Sequence, residues 1–336
     1  MTQKFHGGER ITFLVLILFA ALIIAITLGV SLGSASLKFS HVWGIILTQD
    51  SSIYPQNEIS IVWRIRLPRV LLGAITGAGL AISGSVIQTL VNNSLADPYL
   101  LGISSGACTG AVFGILTGYI NVFVMAFFGA LAAFAGVFVI AGYKTGRLTP
   151  IRMILAGLAV SCIFNALTNF MIYMTKHNGA ENAMFWLMGS LGGARFGRIE
   201  LPFMIVLASL IVFVIYARSL DSMLLGEEHA TALGVDVKNF RRLMFVMTSI
   251  LTAAITSVSG SIGFVGLIVP HAVRMITGSN HRIVLPVSAL AGAVFLILTD
   301  LFARTILAPR ELPLGIITGF TGAPFFVWLL CRRSQK

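Results

Sequence analysis

Three arginines precede a long apolar stretch in the sequence WRIRLPRVLLGAITGAGLAISG, which begins at Trp63. Arg64, Arg66 and Arg69 could each bind a carboxylate through two hydrogen bonds, because the planar guanidinium matches the two carboxylate oxygens. Arginines at the end of an apolar helix also act as anchors whose charged heads reach the membrane surface. The cluster is therefore either a docking surface for an acidic partner or a membrane anchor.

Few other residues have the type and spacing that catalysis or metal binding requires. The six histidines form neither an HExxH motif nor another pair with metal-ligand spacing. The three cysteines lie in separate apolar segments without a CxxC pattern, and we interpret them as packed small residues. His271 and Asp300 lie within apolar segments and are functional candidates for that reason. The sequence predicts no catalytic residue, no metal site and no cofactor bound by this chain.

The composition is typical of a membrane protein. Of the 336 residues, 57% are hydrophobic and only 10% are charged, whereas roughly a quarter of a soluble domain is charged. The formal net charge of +11 could suggest a nucleic-acid partner, but the basic residues are scattered through short loops between apolar runs. Membrane topology explains that distribution better, so we expect no nucleic-acid partner.

Nine apolar runs are long enough to cross a bilayer as helices, which takes roughly twenty residues. None of them alternates apolar and polar residues as the strands of a membrane barrel do. The runs lie near 11–33, 70–91, 99–120, 122–143, 151–175, 201–217, 243–263, 283–303 and 312–331.

The basic loops determine the orientation and the number of spans. Lysines and arginines occur near the start of the chain, at 144–152, 218–242 and 274–282, and in the last five residues. The positive-inside rule places all of them in the cytoplasm, which requires a tenth, broken helix within about 264–278. We therefore predict an all-α polytopic membrane protein, a single domain over 1–336, with about ten transmembrane helices and cytoplasmic termini. The 34–69 loop and its arginines would then be external.

The largest cytoplasmic loop, RSLDSMLLGEEHATALGVDVKNFRRL at 218–243, favours two short helices over about 221–240. Asp221 is suited to cap the first helix, Gly234 to end it in a left-handed conformation, and Asp236 to start the second. Helices of mixed polarity outside the bilayer indicate a surface for another protein. A merely solvated loop is the alternative.

Five motifs resemble the FecCD family, the permease subunits of type II ABC importers, which carry ferric siderophores, haem or cobalamin. The resemblance extends over about 12–332. The motifs are RIRLPR at 64–69, GLAISGSVIQTLVNNSLADPYLLGISSGA at 79–107, GEEHATALGV at 226–235, GSIGFVGLIVPHAVR at 260–274 and ELPLGIITGFTGAPFFVWLL at 311–330.

The resemblance implies a set of partners. These are a second permease subunit, as a homodimer or alternatively a heterodimer, two ATP-binding-cassette ATPase subunits and an external binding protein that delivers the substrate. The location would be the bacterial cytoplasmic (inner) membrane. No GxxxxGK[ST] phosphate loop occurs in the chain, so ATP and Mg would be bound by the ATPase subunits.

The resemblance also implies roles for individual residues. Arginines of the binding-protein docking surface correspond to Arg66, Arg69 and Arg304, with Arg64 and Arg310 as additional candidates. The coupling helices that contact the ATPase correspond to a segment containing Gly226, Glu227, Ala230, Leu233 and Gly234. In this family the fifth helix lines the translocation path, and here one face of it carries Ser161, Asn165, Thr168 and Asn169. Hydrogen bonding between helices explains these four polar residues equally well.

The expected function is that of an ABC importer permease for an iron chelate, with a ferric siderophore as the first candidate. Haem or cobalamin is the alternative cargo, and an oxyanion is a more distant one. An ion-coupled secondary transporter is the alternative class. It would need no ATPase and would depend on acids within the membrane, for which only Asp300 and Asp97 are available.

Overall fold

The computed structural model describes residues 3–33, 35, 37–48, 52–118, 121–142, 149–175 and 177–333, and every regular element in these ranges is helical. Most of the basic loop predicted at 144–152 lies outside the described residues. There is a π-helical turn at Ile61–Arg66 and a 3-10 helix at Pro98–Leu101. The α-helices are α1 (Gln3–Ser31), α2 (Phe39–Thr48), α3 (Gln56–Ser60), α4 (Leu67–Leu90), α5 (Ile103–Thr117), α6 (Val122–Ile140), α7 (Pro150–Tyr173), α8 (His177–Leu187), α9 (Phe196–Ile215), α10 (Ala217–Leu224), α11 (Glu227–Ala232), α12 (Val237–Ser259), α13 (Val265–Thr277), α14 (His281–Thr305) and α15 (Leu314–Arg333).

Seven of the described helices are long and apolar enough to cross a membrane: α1, the continuous helix Gln56–Leu90, α6, α7, α9, α12 and α14. Four shorter helices, α2, α5, α13 and α15, are also apolar. Helix α13 lies where the sequence predicts the broken helix, and it contains Pro270. The chain is therefore a multi-pass membrane protein.

The arginine cluster lies on a helix, not in the loop predicted at 34–69. The chain is continuously helical from Gln56 to Leu90. The wider π turn just before Pro68 accommodates this residue, which lacks an N–H and whose ring crowds the carbonyl four residues earlier in a regular α-helix. Because the cluster is helical, its side chains point in different directions: Arg64 is exposed, whereas Arg66 and Arg69 are buried.

Helix α4 lies at the centre of the bundle and packs closely against α14. A Cβ atom added at Gly77 would lie 2.0 Å from the carbonyl oxygen of Gly292, and one added at Gly292 would lie 2.3 Å from that of Gly77. At Gly84 an added Cβ would lie 1.8 Å from the carbonyl oxygen of Gly266 in α13. Small residues let helix backbones touch, which is the usual basis of helix association in lipid. Helices α4, α13 and α14 therefore form a closely packed unit.

Candidate functional site

A buried ion cluster occupies one end of the α4 and α14 pair. Arg69 Nε donates to both carboxylate oxygens of Asp300 at 3.0 and 3.1 Å. Arg69 Nη1 donates to both carboxylate oxygens of Glu311 at 2.8 and 2.9 Å. Arg304 follows Asp300 by one helical turn, and its Nε lies 3.5 Å from Asp300 Oδ2. Two arginines therefore share the buried carboxylate of Asp300, and Arg69 also binds the partly exposed carboxylate of Glu311.

Arg66 and Arg304 bind the last carbonyls of α1. Arg66 Nη1 donates to the carbonyl of Ser31 at 2.7 Å, and its Nη2 donates to that of Ala35. Arg304 Nη2 donates to the carbonyl of Gly29. The final carbonyls of a helix have no partner within it and carry partial negative charge, so a cation there is stabilising. These two arginines hold α1 against α4 and α14.

The structure brings together the three arginines predicted for docking, and it places all of them inside the chain. Arg66, Arg69 and Arg304 are 3%, 5% and 4% exposed. The side chain of Glu311, by contrast, is 43% exposed. An acid approaching from outside would therefore meet Glu311 before it reached the guanidinium of Arg69.

The sequence singled out Asp300 as a functional candidate, but it predicted neither the pairing of Asp300 with the arginines nor the contact of Glu311 with Arg69. Asp300 and Arg304 stand four residues apart, a spacing that places them on one face of a helix and is a signal for pairing. No comparable signal links Glu311 to Arg69, which is 242 residues earlier in the chain. The remaining candidates, Arg64 and Arg310, are exposed.

The segment between α8 and α9 lies beside this ion cluster. The N–H of Leu314 donates to the carbonyl of Gly189 at 3.0 Å, and the N–H of Ser190 donates to that of Ser259 at 2.9 Å. A Cβ atom added at Gly192 would lie 3.9 Å from both Arg69 Nη1 and Glu311 Oε2. The start of α15 and the ends of α8 and α12 therefore meet at the rim of the cluster.

Helices α10 and α11 lie at the opposite end of α4 and α14, and their bounds differ from the prediction. Helix α10 begins at Ala217, so Asp221 lies within it and does not cap it. Asp236 caps α12, where its side chain accepts the N–H of Asn239 at 3.3 Å. The predicted second short helix is therefore the first part of a long span. The polar residues at 238–242 obscure its continuity with the apolar segment that follows.

The predicted coupling residues lie on or beside α11. Gly226 and Gly234 flank the helix with φ values of 106° and 83°, and Gly234 has the left-handed conformation that the sequence predicts. Ala230 is fully buried, while Leu233 is exposed. The glycines therefore form the two bends that set the direction of α11.

One ion pair holds α11 against α12. Arg241 Nη2 donates to Glu227 Oε1 at 2.6 Å, from a guanidinium that is almost completely buried. The exposed leucines Leu225 and Leu233 lie on either side of α11. Exposed apolar side chains beside a short, firmly held helix are suited to contact with another protein.

The four polar residues of α7 separate into two groups. Thr168 is buried, and its Oγ1 lies 2.7 Å from Thr109 Oγ1 in α5, which is the interhelical hydrogen bond of the alternative interpretation. Asn165 and Asn169 are exposed, and Ser161 is partly exposed. Ser161 also lines a cavity of about 560 Å³, together with Asp97, Tyr99, Leu100, Ile154, Leu158, Gly263, Phe264 and Leu267.

Asp97 is the ionisable group of that cavity. Its side chain caps the 3-10 helix and accepts the N–H of Tyr99 at 2.8 Å. Within the described ranges, no three His, Cys, Asp or Glu side chains are grouped closely enough to hold a metal ion.

Comparison with known proteins gives consistent matches. The model of the FecCD transport family matches residues 21–332. The cobalamin import system permease protein BtuC of Halobacterium salinarum is 46% identical over 285 residues, covering 84% of this chain and 76% of that protein. The hemin transport system permease protein HmuU of Yersinia pestis is 37% identical over 94% of each chain. A solved ABC transporter described as metal-chelate type and inward-facing is 30% identical, with a TM-score of 0.81 over 96% of this chain and 99% of that one.

Proposed function

Because the chain belongs to the FecCD transport family and is a permease of an ABC importer, we propose that it carries an organic metal chelate across the bacterial inner membrane. A ferric siderophore is the first candidate cargo. Cobalamin and haem are the alternatives, which the names of two relatives favour.

The cargo is tested by competition. Uptake of a labelled ferric siderophore is measured in vesicles that hold this chain with the ATPase and binding protein encoded beside its gene. Unlabelled siderophore is expected to compete, and unlabelled cobalamin and haemin are not. No uptake of the siderophore, together with uptake of labelled cobalamin or haemin by the same vesicles, would replace the siderophore assignment.

The proposed topology has ten spans with both termini in the cytoplasm. It consists of the seven long helices together with α5, α13 and α15, while α2 lies outside. Helix α13 has 13 residues and would rise about 20 Å, less than the roughly 30 Å of a bilayer core. Six of its residues, all at or before Val273, are buried against the bundle, so much of this short span meets protein instead of lipid.

The proposed ATPase contact consists of α10, α11 and the bends at Gly226 and Gly234. Two ATPase subunits would bind ATP and Mg and would press against the exposed Leu225 and Leu233. The Glu227–Arg241 pair would keep α11 fixed to α12 while it is pushed. The ATPase subunit would therefore contact a helix that is fixed to the rest of the chain.

A second copy of the chain is the proposed partner within the membrane. Helix α15 exposes Phe320, Val327 and Trp328. Helix α7 exposes Asn165 and Asn169 among apolar side chains. A path formed between two copies would use the polar face of α7 as part of its lining, and Ser161 would belong to the same lining.

The proposed docking surface is centred on Arg69. The exposed Arg64 and Arg310 would make the first contact with acidic side chains of the binding protein. A docking carboxylate would then replace Glu311, the exposed partner of Arg69. Arg66 and Arg304 would not contact the binding protein directly. They would position α4 and α14 by holding them against the end of α1.

A further inference from the structure

A second polar network lies at the cytoplasmic end of α4, α13 and α14, where α10 packs against them. Asp221 of α10 is at its centre. Asp221 Oδ1 accepts the backbone N–H of His281 at 2.9 Å and lies 2.6 Å from the ring Nδ1 of the same residue. His281 is the first residue of α14 and is fully buried. One carboxylate oxygen of α10 therefore binds the end of α14 at two points.

This contact fixes the direction in which α10 can push. The other buried contacts of α10 come from apolar side chains such as Leu220 and Met223, and apolar contact is not directional. The carboxylate of Asp221 instead meets the N-terminus of α14, where free N–H groups and the helix dipole favour negative charge. Hydrogen bonds to an ionised acceptor are also the stronger kind. Movement of α10 is thereby transferred to α14.

His281 extends the connection to α4. Its Nε2 lies 2.7 Å from Thr89 Oγ1, one residue before the end of α4. A carboxylate only accepts, so Nδ1 carries the proton shared with Asp221. Nε2 contacts the Thr89 hydroxyl, which also donates to the carbonyl of Ser85 at 3.0 Å. The imidazole therefore links α10 to both α4 and α14.

Arg274 and Gln88 extend the network to α13. Arg274 Nη2 donates to Thr89 Oγ1 at 3.1 Å and to the carbonyl of Ser85 at 2.7 Å. Arg274 Nη1 donates to Gln88 Oε1 at 2.9 Å, and Gln88 Nε2 donates to the carbonyl of Leu267 at 3.1 Å. Gln88 thus binds both the first turn and the last turn of α13.

The two long helices of this network carry the ion cluster at their other ends. Within α4, Arg69 and Thr89 lie near opposite ends, about 30 Å apart along the helix. Helix α14 begins at His281, and Asp300 and Arg304 lie near its other end. Because the helices touch at their glycines, a displacement at one end reaches the other with little loss.

We propose that Asp221 and His281 are positioning residues that transmit the movement of α10 to α4, α13 and α14. The proposal rests on the proposed function of the chain as the permease of an ATPase-driven importer. Without this pair, α10 slides on its apolar face, and ATP is hydrolysed without moving the spans. The pair sets how much substrate is carried for each ATP.

The test uses vesicles that contain the chain together with the ATPase and binding protein encoded beside its gene, and it measures substrate carried per ATP hydrolysed. Asp221→Ala removes the acceptor and is expected to lower this ratio about fivefold or more, the size of a typical coupling free energy between sites. Asp221→Asn keeps an acceptor oxygen and is expected to stay within about twofold of the wild type. Thr117→Ala is the control, because Thr117 is the last residue of α5, outside this network and the ATPase contact, and its hydroxyl donates to carbonyls of its own helix.

An unchanged ratio in assembled Asp221→Ala complex would overturn the proposal. If that variant does not assemble, Thr89→Val removes the hydroxyl that His281 contacts and leaves α10 untouched. The same fall in ratio is expected for Thr89→Val, and an unchanged ratio would again refute the relay. Failure of the wild-type complex to couple ATP hydrolysis to uptake would instead refute the proposed function.

Discussion

Replacing Glu311 by Gln should tighten docking of the binding protein. Glu311 occupies Arg69 through two contacts of 2.8 and 2.9 Å, and its side chain is 43% exposed. A docking carboxylate must break these contacts, which at that exposure contribute about 1 kcal/mol. Removing the charge of the internal competitor should therefore lower Kd about fivefold, since 1.4 kcal/mol corresponds to a factor of ten.

The assay is a titration of the binding protein against the purified chain in nanodiscs at low salt. Glu200→Gln is the matched control, because Glu200 is also an exposed acid and lies in the first turns of α9, on the same side as the ion cluster. Both variants change the net charge equally, so a general electrostatic effect would appear in both. Binding by Glu311→Gln that is no tighter than binding by Glu200→Gln would refute the exchange of carboxylates at Arg69.

Two further predictions concern coupling and topology. Gly234→Val should strain a backbone at φ 83° by about 1–3 kcal/mol and abolish substrate-stimulated ATP hydrolysis in the folded complex. Gly234→Asn should retain this activity, because asparagine tolerates the conformation. Equal activity of the two variants would contradict a role for the bend. In a chain whose native cysteines are replaced, Cys at Ser279 should react only from the cytoplasmic side and Cys at Gln56 only from outside; labelling of both from one side would disprove the ten-span topology.

The sequence predicted the helix positions well where each helix is a single apolar run. Helix α13 could be predicted even though Pro270 and Arg274 interrupt its apolar pattern, because the positive-inside rule assigns the basic loops before and after it to the same face of the membrane. The early start at Gln56 of the helix that contains α4 could not be predicted. Polar residues and Pro68 resemble a loop there, whereas the chain is helical throughout.

The residues of the candidate sites could be predicted from the sequence, but the contacts that these residues make could not. The sequence indicated that Arg66, Arg69 and Arg304 belong together, yet their burial depends on Glu311 and on the carbonyls at the end of α1. Asp221 was expected to cap its own helix and instead contacts His281, 60 residues later. Such pairs depend on the tertiary arrangement, and the spacing of residues along one helix contains no information about them.

Uptake by the reconstituted complex tests the central claim most directly. Vesicles would contain this chain with and without its ATPase, with binding protein and labelled ferric siderophore on the outer side and ATP and Mg on the cytoplasmic side. Uptake is expected only when the ATPase and ATP are both present, and a proton or sodium gradient alone should give none. Uptake driven by an ion gradient in vesicles that lack the ATPase would contradict the assignment of this chain as an ABC importer permease.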